Sequence, residues 1–342
     1  MSYPTAPEKL SREWLSSALG CHVNGFEVEP LGAGAGMMGQ VTRVRLDSDF
    51  SRKTLIAKFP SPAPENRQVA QTYDMYGKEV RFYQSIAKTV PLRTPECYFA
   101  THNRENHDFI ILMEDIQGFR IGDQVAGCNF DEAIQVIEAI AGMHATTWLK
   151  AEQLGLQSHN NPAQRDGMVG GFSFGWSVVM EKFRDVIPES ALIAGERMAA
   201  ATPALLAEMC QGPVCLNHVD MRLDNIFFNE TGVLFVDWQS TASSCPEHDL
   251  AYFMTQSVAT ELRHSYDFLG HYYKAFTGHG IHYPRDLFER RYKVAALYLL
   301  DFAVVIAGTL NLANERGQQL GRSLLGRSLQ ALDELKAWEL LK

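Results

Sequence analysis

The sequence predicts an α+β fold with two lobes, a small β-rich N-terminal lobe and a larger helical C-terminal lobe. Two observations support this prediction. Short apolar runs typical of strands dominate the chain up to Met113. Longer stretches with apolar residues at helical spacing dominate the chain after it. We therefore divide the 342 residues into lobes at 1–113 and 114–342, with a hinge near 113–117.

The N-terminal lobe is predicted to contain two helices and five strands. The first helix covers 11–19, with Ser11 as its N-cap and Gly20 as its stop. Apolar residues at helical spacing predict the second helix over 72–88. The strand-like runs lie at 26–31, 41–46, 54–59, 97–101 and 109–113.

The C-terminal lobe is predicted to be mostly helical, with short strands between the helices. Its strongest amphipathic pattern covers 131–149. The other predicted helices cover 177–186, 190–210, 248–278, 285–313 and 318–341. The predicted strands cover 214–217, 226–228 and 233–236.

Composition excludes several classes of protein. The formal net charge is −9 and no run of Lys or Arg occurs, which argues against nucleic acid as the main partner. The longest apolar run, Val294 to Ala307, contains Asp301, so we expect no membrane span. The N-terminal residues lack a secretory signal pattern. Six scattered cysteines without a C-x-x-C pair indicate reduced thiols, so we expect a cytoplasmic protein, and the oligomeric state is left open.

A glycine-rich turn lies between the first two predicted strands. Gly34, Gly36 and Gly39 fit the pattern G-x-G-x-x-G-x-V that ends at Val41. Glycines allow backbone N–H groups to approach phosphates closely. A dinucleotide-binding turn would be followed by a helix, but here a strand follows, as in protein kinases. The alternative is a flexible hairpin with no ligand.

A lysine and a glutamate follow this turn at informative positions. Lys58 ends the apolar run Leu-Ile-Ala-Lys, and a lysine on a buried strand needs a partner. Glu79, in the next predicted helix, is the candidate partner. Such a pair holds the phosphates of ATP in kinases. The alternative is an edge lysine and a solvated glutamate.

The most specific pattern is H-x-D-x-x-x-x-N, which begins at His218 just after a predicted strand. Asp220 can orient a hydroxyl and accept its proton, and Asn225 can offer a neutral oxygen to Mg²⁺. Asp237 follows the next strand, where a carboxylate would complete a Mg²⁺-nucleotide site. The alternative is a hairpin that uses Asp and Asn as turn formers.

These motifs together resemble the aminoglycoside phosphotransferase and choline kinase-like branch of the protein-kinase-like fold. The sequence is most similar to ecdysteroid kinase-like proteins and to the kinase domains that accompany some acyl-CoA dehydrogenases. The residues that carry the resemblance are Leu112–Asp115, Ala141–Ala145, His218–Asn225, Phe235–Gln239 and His248–Phe253. The last 90 residues or so match no motif.

The resemblance implies a role for each matching residue. Asp220 would orient the hydroxyl as the catalytic carboxylate, and Asp249 would brace the catalytic loop. Arg222 would meet the γ-phosphate, with a surface pair to Asp224 as the alternative. The cofactors implied are ATP and Mg²⁺. ATP would be held by Gly34, Gly36, Gly39, Lys58 and Glu79 and by the hinge at Met113, Glu114 and Ile116, and Mg²⁺ by Asn225 and Asp237.

Two departures from protein kinases indicate a small-molecule acceptor. Asp237 is followed by Trp-Gln rather than Phe-Gly. Too few residues separate it from the helix predicted at His248 for a long activation loop, and no Ala-Pro-Glu follows. Val219 stands where many relatives have glycine, but Asp220 keeps its spacing, so we expect catalysis to be intact.

Two alternatives from other classes remain. Gly171-Phe-Ser173-Phe-Gly175 fits G-x-S-x-G, the nucleophile elbow of a serine esterase. No apolar strand precedes it, so we expect a glycine-rich loop at the mouth of a pocket instead. A non-catalytic pseudokinase would lack Asp220, Asn225 or Asp237, and all three are present.

The acceptor is expected to be a small hydrophobic or acyl-type alcohol. Aromatic residues are candidates for the pocket wall, and residues 285–342 mix acids with bases instead of clustering acids as a polycation would require. An aminoglycoside is therefore the alternative acceptor. Asp301, on an apolar helix, would meet a polar group of the acceptor or form a structural ion pair. The candidate wall residues are Phe172, Phe174, Trp176, Tyr266, Tyr272 and Tyr273.

Overall fold

The computed structural model describes residues 3–31, 38–309 and 314–342. The chain divides into two compact units, and each is built from separate stretches of sequence. The first unit comprises Met1–Thr89, Arg93–Phe119 and Phe235–Ser240. The second unit comprises Val90–Leu92, Arg120–Leu234 and Thr241–Lys342. The boundary between lobes that the sequence predicts, at residues 113 and 114, stays a prediction.

The first unit is built on one antiparallel sheet of five strands. Their order in the sheet is β1-β2-β3-β5-β4, so β5 lies between two partners. The alternating pattern of β2 and the apolar run of β5 place Val44, Leu55, Phe59, Ile110 and Leu112 in one buried core. The strands are β1 (Val23–Pro30), β2 (Gly39–Ser48), β3 (Thr54–Pro60), β4 (Cys97–His102) and β5 (Phe109–Glu114).

Helix α1 (Arg12–Leu19) confirms the first predicted helix and both of its caps. The Ser11 hydroxyl accepts a hydrogen bond from the Trp14 amide, and Gly20 adopts the left-handed conformation with φ 67°. Both ends of the helix are therefore specified by the local sequence.

The helix predicted over 72–88 is wrong in its extent. Helix α2 (Pro64–Thr72) ends at the residue where the predicted helix begins. Helix α3 (Met75–Arg81) follows after Asp74, which adopts the left-handed conformation. A wider helical turn then covers Phe82–Ile86. The apolar spacing located the buried face correctly, but it carries no information about the break at Asp74. Helix α2 has few apolar residues, which is why periodicity did not detect it.

The second unit is mostly helical, with two small sheets. Strands β6, β8 and β9 form one sheet, and β7 and β10 form the other. The helices are α4 (Phe130–Thr146), α5 (Pro162–Lys182), α6 (Leu192–Cys210), α7 (Glu247–Gln256), α8 (Thr260–Ser265), α9 (Phe268–Thr277), α10 (Arg285–Thr309) and α11 (Glu315–Glu334). The strands are β6 (Arg120–Ile121), β7 (Cys215–Asn217), β8 (Ile226–Asn229), β9 (Gly232–Phe235) and β10 (Ala242–Ser244).

Three predicted helices of this unit need correction. The stretch 248–278 forms α7, α8 and α9 rather than one helix. Helix α5 begins at Pro162 instead of 177, with the Asn161 side chain accepting from the Gln164 amide as its N-cap. Its glycines hid the helical pattern from the sequence. The stretch 318–341 is α11 followed by a short 3₁₀ turn at Ala337–Leu341.

Helix α10 is the central element of the second unit. Fourteen of its residues are buried, and it packs against α5, α6, α7 and α11. Among the residues that the structure describes, it is the one helix long and apolar enough to cross a membrane by length and composition alone. Of that apolar stretch, 67% is buried inside the protein, including Asp301. The helix is therefore packed as a core helix.

Candidate active site

A buried lysine in the first unit joins two carboxylates. Lys58 Nζ lies 2.8 Å from Glu79 Oε1, 2.7 Å from Glu79 Oε2 and 2.7 Å from Asp237 Oδ1. Lys58 and Glu79 are 8% and 1% exposed. We call these three residues the Lys58 cluster. The predicted contact between Lys58 and Glu79 is present, and Asp237, almost 180 residues away in sequence, joins it.

Three elements place the Lys58 cluster. Lys58 lies on β3 between the buried Ala57 and Phe59, and Glu79 lies on the buried face of α3. Asp237 follows β9 with a left-handed φ of 65°. The next residue, Trp238, is fully buried and stacks on Phe82 with ring centroids 3.8 Å apart. The stacked rings fix the segment that carries Asp237 beside α3.

Burial and charge set the ionisation of the cluster. Burial raises the pKa of Glu79 to about 7, and the charge of Asp237 adds to this effect while Lys58 opposes it. Burial alone would lower the pKa of Lys58, but Asp237 and Glu79 raise it above its usual value. The ammonium is therefore charged at all physiological pH values. Phosphate oxygens are the natural additional partners of such a charge.

The cluster also fits a hard cation. When all three groups are ionised, two carboxylates face one ammonium and leave one net negative charge. Gln239 Nε2 donates to Asp237 Oδ2 at 3.1 Å. Gln239 Oε1 is buried and has no hydrogen-bond partner among the described residues. A net negative group with oxygen ligands suits Mg²⁺. The role of Asp237 as a Mg²⁺ ligand stays a prediction.

The predicted glycine-rich turn is described only at its end. Gly34 and Gly36 lie outside the described residues. Gly39 begins β2, and a Cβ atom there would lie 3.1 Å from the Phe59 carbonyl oxygen and 3.4 Å from Lys58 Cε. Glycine at this position therefore leaves room for the lysine side chain.

The predicted hinge residues lie at and just beyond the end of β5, an interior strand of the sheet in the first unit. Met113 pairs with β3 and β4, so its backbone belongs to the sheet. The Glu114 carboxylate binds Arg93 at 2.6 Å, which is a structural use of that side chain. Ile116 follows in irregular backbone, beyond the strand. The adenine-facing role predicted for Met113, Glu114 and Ile116 stays a prediction.

The second unit carries the predicted catalytic loop, His218–Asn225. Asp220 Oδ1 accepts a hydrogen bond from the Tyr252 hydroxyl at 3.0 Å, and its Oδ2 accepts from Asn225 Nδ2 at 3.0 Å. Arg222 Nε lies 3.5 Å from Asp220 Oδ2. The structure thus brings together three of the predicted site residues and places Arg222 on Asp220. With the Asn225 nitrogen engaged, its carbonyl oxygen Oδ1 is the atom that can serve a cation.

The turn before Asp220 is strained and is held by one carboxylate. Val219 has φ 75°, a conformation that a β-branched residue rarely adopts. Asp249, which is fully buried at the start of α7, accepts from the His218 amide at 2.7 Å and from the Val219 amide at 2.8 Å. These two bonds hold the backbone in the strained form. The expected bracing contact of Asp249 is present in this form.

A histidine and a tyrosine support Asp249 from α4 and α9. His144 Nε2 lies 3.4 Å from Asp249 Oδ2, and His144 Nδ1 lies 2.7 Å from the Tyr272 hydroxyl. Burial alone would raise the pKa of Asp249, but His144, together with the charges of neighbouring histidines, lowers it below its usual value. Asp249 therefore acts as an ionised acceptor. The Tyr272 hydroxyl serves this network rather than an acceptor wall.

Sequence reasoning missed two residues that position the catalytic loop. Tyr252 lies three residues after Asp249, so both side chains share one face of α7, and that spacing could have identified it. Gln124 Oε1 accepts from the Leu223 amide at 2.7 Å, and its Nε2 donates to the Gln256 carbonyl at 2.8 Å. No sequence pattern indicated Gln124, because its partners lie about 100 residues or more away.

The structure corrects the interpretation of the Gly171–Gly175 motif. The motif lies inside α5, where a Cβ at Gly171 or Gly175 would lie within 3 Å of Val305 or Val304 of α10. It forms neither a nucleophile elbow nor a loop at a pocket mouth. Its glycines allow two helices to pack closely, and the Ser173 hydroxyl donates to the Val169 carbonyl of its own helix.

The structural ion pair that was one of the two expectations for Asp301 does not form among the described residues. Its Oδ2 accepts from the Thr202 hydroxyl at 2.7 Å, and its Oδ1 has no hydrogen-bond partner among the described residues. Burial raises the pKa of this carboxyl well above its usual value, so it is held as a neutral acid.

Known proteins share this fold at low sequence identity. A choline kinase from Cryptosporidium parvum Iowa II has a TM-score of 0.56 at 12% identity, with 92% of this chain and 91% of that chain covered. A choline kinase from Streptococcus pneumoniae has a TM-score of 0.51 at 15% identity, with 96% and 98% covered. The GDP complex of aminoglycoside 2′-phosphotransferase-IIIa has a TM-score of 0.54 at 16% identity, with 89% and 93% covered. The predicted α+β, kinase-like fold is thereby confirmed.

Sequence comparison identifies the family. Curated protein sequences returned no match. Residues 33–282 match the ecdysteroid kinase-like family, and this range includes both the Lys58 cluster and the catalytic loop. Because that match covers most of the chain, the protein belongs to the ecdysteroid kinase-like family, a family of small-molecule kinase type.

Proposed function

We propose that the protein transfers the γ-phosphate of ATP to a hydroxyl of a small, hydrophobic or acyl-type alcohol. The observation that carries the proposal is the Lys58 cluster, in which a buried ammonium is held by two carboxylates at 2.7–2.8 Å. One carboxylate is enough to neutralise a buried ammonium, whereas this one is held between two, and the proposal makes phosphate oxygens its further partners.

In the proposed reaction, Lys58 holds the phosphates of the nucleotide and Asp220 orients the acceptor hydroxyl. The acceptor oxygen forms a bond to the γ-phosphorus while the bond from that phosphorus to the bridging oxygen breaks, and ADP leaves. The hydroxyl proton passes to Asp220 and then to water. Tyr252 and Asn225 hold the Asp220 carboxylate in place at 3.0 Å each, so catalysis rests on positioning and charge.

The proposed Mg²⁺ ligands are Asn225 and Asp237, through the amide oxygen and a carboxylate oxygen. Mg²⁺ bound by such oxygens neutralises negative charge that develops on transferring phosphates. Arg222, which lies 3.5 Å from Asp220, would reach the transferred group and offset its charge as well. GDP is the nucleotide in one solved relative, so guanosine nucleotides belong in the test.

The ion pairs of the second unit support a weakly charged acceptor. Glu289 pairs with Arg285 at 2.7 Å, Glu334 pairs with Arg263 at 3.0 Å, and Arg290 pairs with Glu208 at 2.8 Å. A carboxylate that already pairs with an arginine is less available to a polycationic aminoglycoside. An alcohol with an aliphatic or steroid-like body needs no free carboxylates. The protein is proposed to do this reaction in the cytoplasm.

The test begins with nucleotide and continues to acceptor. ATP and GTP are titrated calorimetrically into the protein with and without Mg²⁺, and Lys58→Met and Asp237→Asn are compared with Asp286→Asn, an exposed acid of α10. We expect binding that depends on Mg²⁺, that is weakened at least tenfold by the first two variants and that is unchanged in the control.

The acceptor arm measures ADP release with sterols, hydroxyacyl-CoA esters and kanamycin. Asp220→Asn should keep nucleotide affinity and lose turnover, since the carboxylate touches the hydroxyl and not the nucleotide base. Turnover confined to kanamycin would replace the hydrophobic acceptor with an aminoglycoside. Mg²⁺-independent binding, or full turnover by Asp220→Asn, would overturn the proposed mechanism.

A further inference from the structure

A second group of ligand-type side chains lies in the first unit, apart from the Lys58 cluster. It consists of Asp74, His102 and His107, whose possible ligand atoms all lie within 4.8 Å of one another. His102 is the last residue of β4, and His107 lies in the turn that leads into β5. Asp74 lies between α2 and α3. Among the described residues, this is the one such group of three.

The backbone holds two of these residues in uncommon conformations. Asp74 has φ 50° and His107 has φ 56°, both in the left-handed region. The turn around His107 is closed by the Asn103 amide, which donates to the Asp108 carbonyl at 2.8 Å. A left-handed residue costs roughly 1–2 kcal/mol, so the surrounding fold holds Asp74 and His107 in these conformations.

One ring nitrogen of the group is buried without a protein partner among the described residues. His102 Nε2 is buried and has no hydrogen-bond partner among the described residues. The Asp74 carboxylate meets Arg81 at 4.0 Å, the outer limit of an ion pair. A buried ring nitrogen without a partner calls for a ligand, a water molecule or an ion. Two imidazoles and one carboxylate are a ligand set that d-block cations bind well.

The geometry points to a binding site for one divalent d-block cation, of the Zn²⁺ type, formed by Asp74, His102 and His107. Tetrahedral Zn²⁺ with bonds of about 2.0–2.1 Å holds its ligand atoms roughly 3.3 Å apart, so the side chains must close by about 1.5 Å at most. Rotation about side-chain bonds can supply this closure. Three protein ligands leave the fourth position to water.

A cation at this site would connect the β4–β5 turn to the start of α3. Helix α3 spans Met75–Arg81 and carries Glu79 of the Lys58 cluster. Binding at Asp74 would therefore restrain the helix that positions Glu79. The site itself takes no part in the proposed phosphoryl transfer, and its existence does not depend on that proposal.

The test uses Co²⁺ as a spectroscopic probe and Zn²⁺ as a competitor, in millimolar Mg²⁺ to occupy weaker oxygen sites. The variants are His102→Phe and His107→Gly, since glycine keeps the left-handed turn. The control is His22→Ala, an exposed histidine of the same unit. Circular dichroism checks that every variant is folded.

We expect one Co²⁺ per chain with visible absorption typical of tetrahedral cobalt, displaced by Zn²⁺. The affinity for Co²⁺ should fall at least tenfold in His102→Phe and in His107→Gly, and it should stay unchanged in His22→Ala. Zn²⁺ should also raise the melting temperature of the unmodified protein and of His22→Ala, because a cation that binds only the folded chain stabilises it. It should not raise the melting temperature of His102→Phe or His107→Gly. Equal cobalt affinity in the folded His102→Phe and His107→Gly variants, or no saturable binding to the unmodified protein, would overturn the inference.

Discussion

Replacing Asp249 tests whether one carboxylate holds the catalytic loop. Its two oxygens accept from the backbone amides of His218 and Val219 at 2.7 and 2.8 Å, and the residue is fully buried. Asp249→Ala removes both acceptors. Asp249→Asn keeps the shape but has only one acceptor oxygen, so one buried amide faces an NH₂ group instead.

The size of the effect follows from these contacts. A hydrogen bond to a charged group contributes about 1.5–3 kcal/mol. Two such bonds put the loss for Asp249→Ala at about 3–6 kcal/mol, and the loss of one puts Asp249→Asn at about 1.5–3 kcal/mol. A domain is stable by only about 5–15 kcal/mol. The asparagine variant is therefore the useful one, since it should remain folded.

The assay pairs urea unfolding with nucleotide titration. Asp249→Asn should unfold at clearly lower urea and lose turnover, because Val219 relaxes from φ 75° and moves Asp220. ATP affinity should stay within about twofold, since the Lys58 cluster is untouched. The matched control Asp286→Asn removes an exposed carboxylate from the first turn of another helix and should change stability by under about 0.5 kcal/mol. Equal urea midpoints for the two asparagine variants would refute the reasoning.

Three further variants test other contacts. Tyr252→Phe removes the hydroxyl that donates to Asp220 at 3.0 Å. In an ADP-release assay, turnover should fall about tenfold while the KM for ATP stays unchanged. Unchanged turnover would contradict a positioning role for Tyr252. Burial lowers the pKa of His248 from 6.5 to about 4, so the stability it contributes is complete above pH 6.5 and falls by about 3 kcal/mol toward pH 4. His248→Phe should flatten this part of the urea-stability profile, and an unchanged slope would contradict the assignment. Gly175→Ala places a Cβ 2.7 Å from the Val304 carbonyl oxygen and should lower the free energy of unfolding in urea by about 1–3 kcal/mol. The control Ser173→Ala, at an exposed position of the same helix, should leave it unchanged. Equal effects of the two variants would argue against the close helix crossing.

The fold class and the family could be read from the sequence, because both rest on local signals. The alternation along β2 and the apolar run of β5 predicted strands, and the H-x-D-x-x-x-x-N motif at His218 indicated the family. The helix break at Asp74 and the two breaks that separate α7, α8 and α9 were missed, since apolar residues can keep a helical spacing across a short non-helical segment. The part of helix α5 before residue 177 was missed because glycine lowers helix propensity, yet here it serves close packing.

The candidate site was predictable only in part. Lys58 and Glu79 were paired correctly because a lysine on a buried strand needs a partner and Glu79 lies in the next predicted helix. The contact of Lys58 with Asp237, the strain at Val219 and the bonds of Gln124 all depend on chain segments far apart in sequence. No spacing rule reports such contacts. The roles assigned to the site residues in binding and catalysis stay predictions.

The path of the chain has a consequence for its synthesis. Trp238, which is fully buried and stacks on Phe82, belongs to a unit whose other residues end at Phe119. A ribosome that adds about 5–20 residues per second needs roughly 6–24 s to make the intervening chain. During that interval the nascent first unit exposes the ring of Phe82 and lacks its last carboxylate. Folding of this unit therefore cannot finish before residues 235–240 have been made, and chaperones that cover exposed aromatic surface have a defined window in which to act.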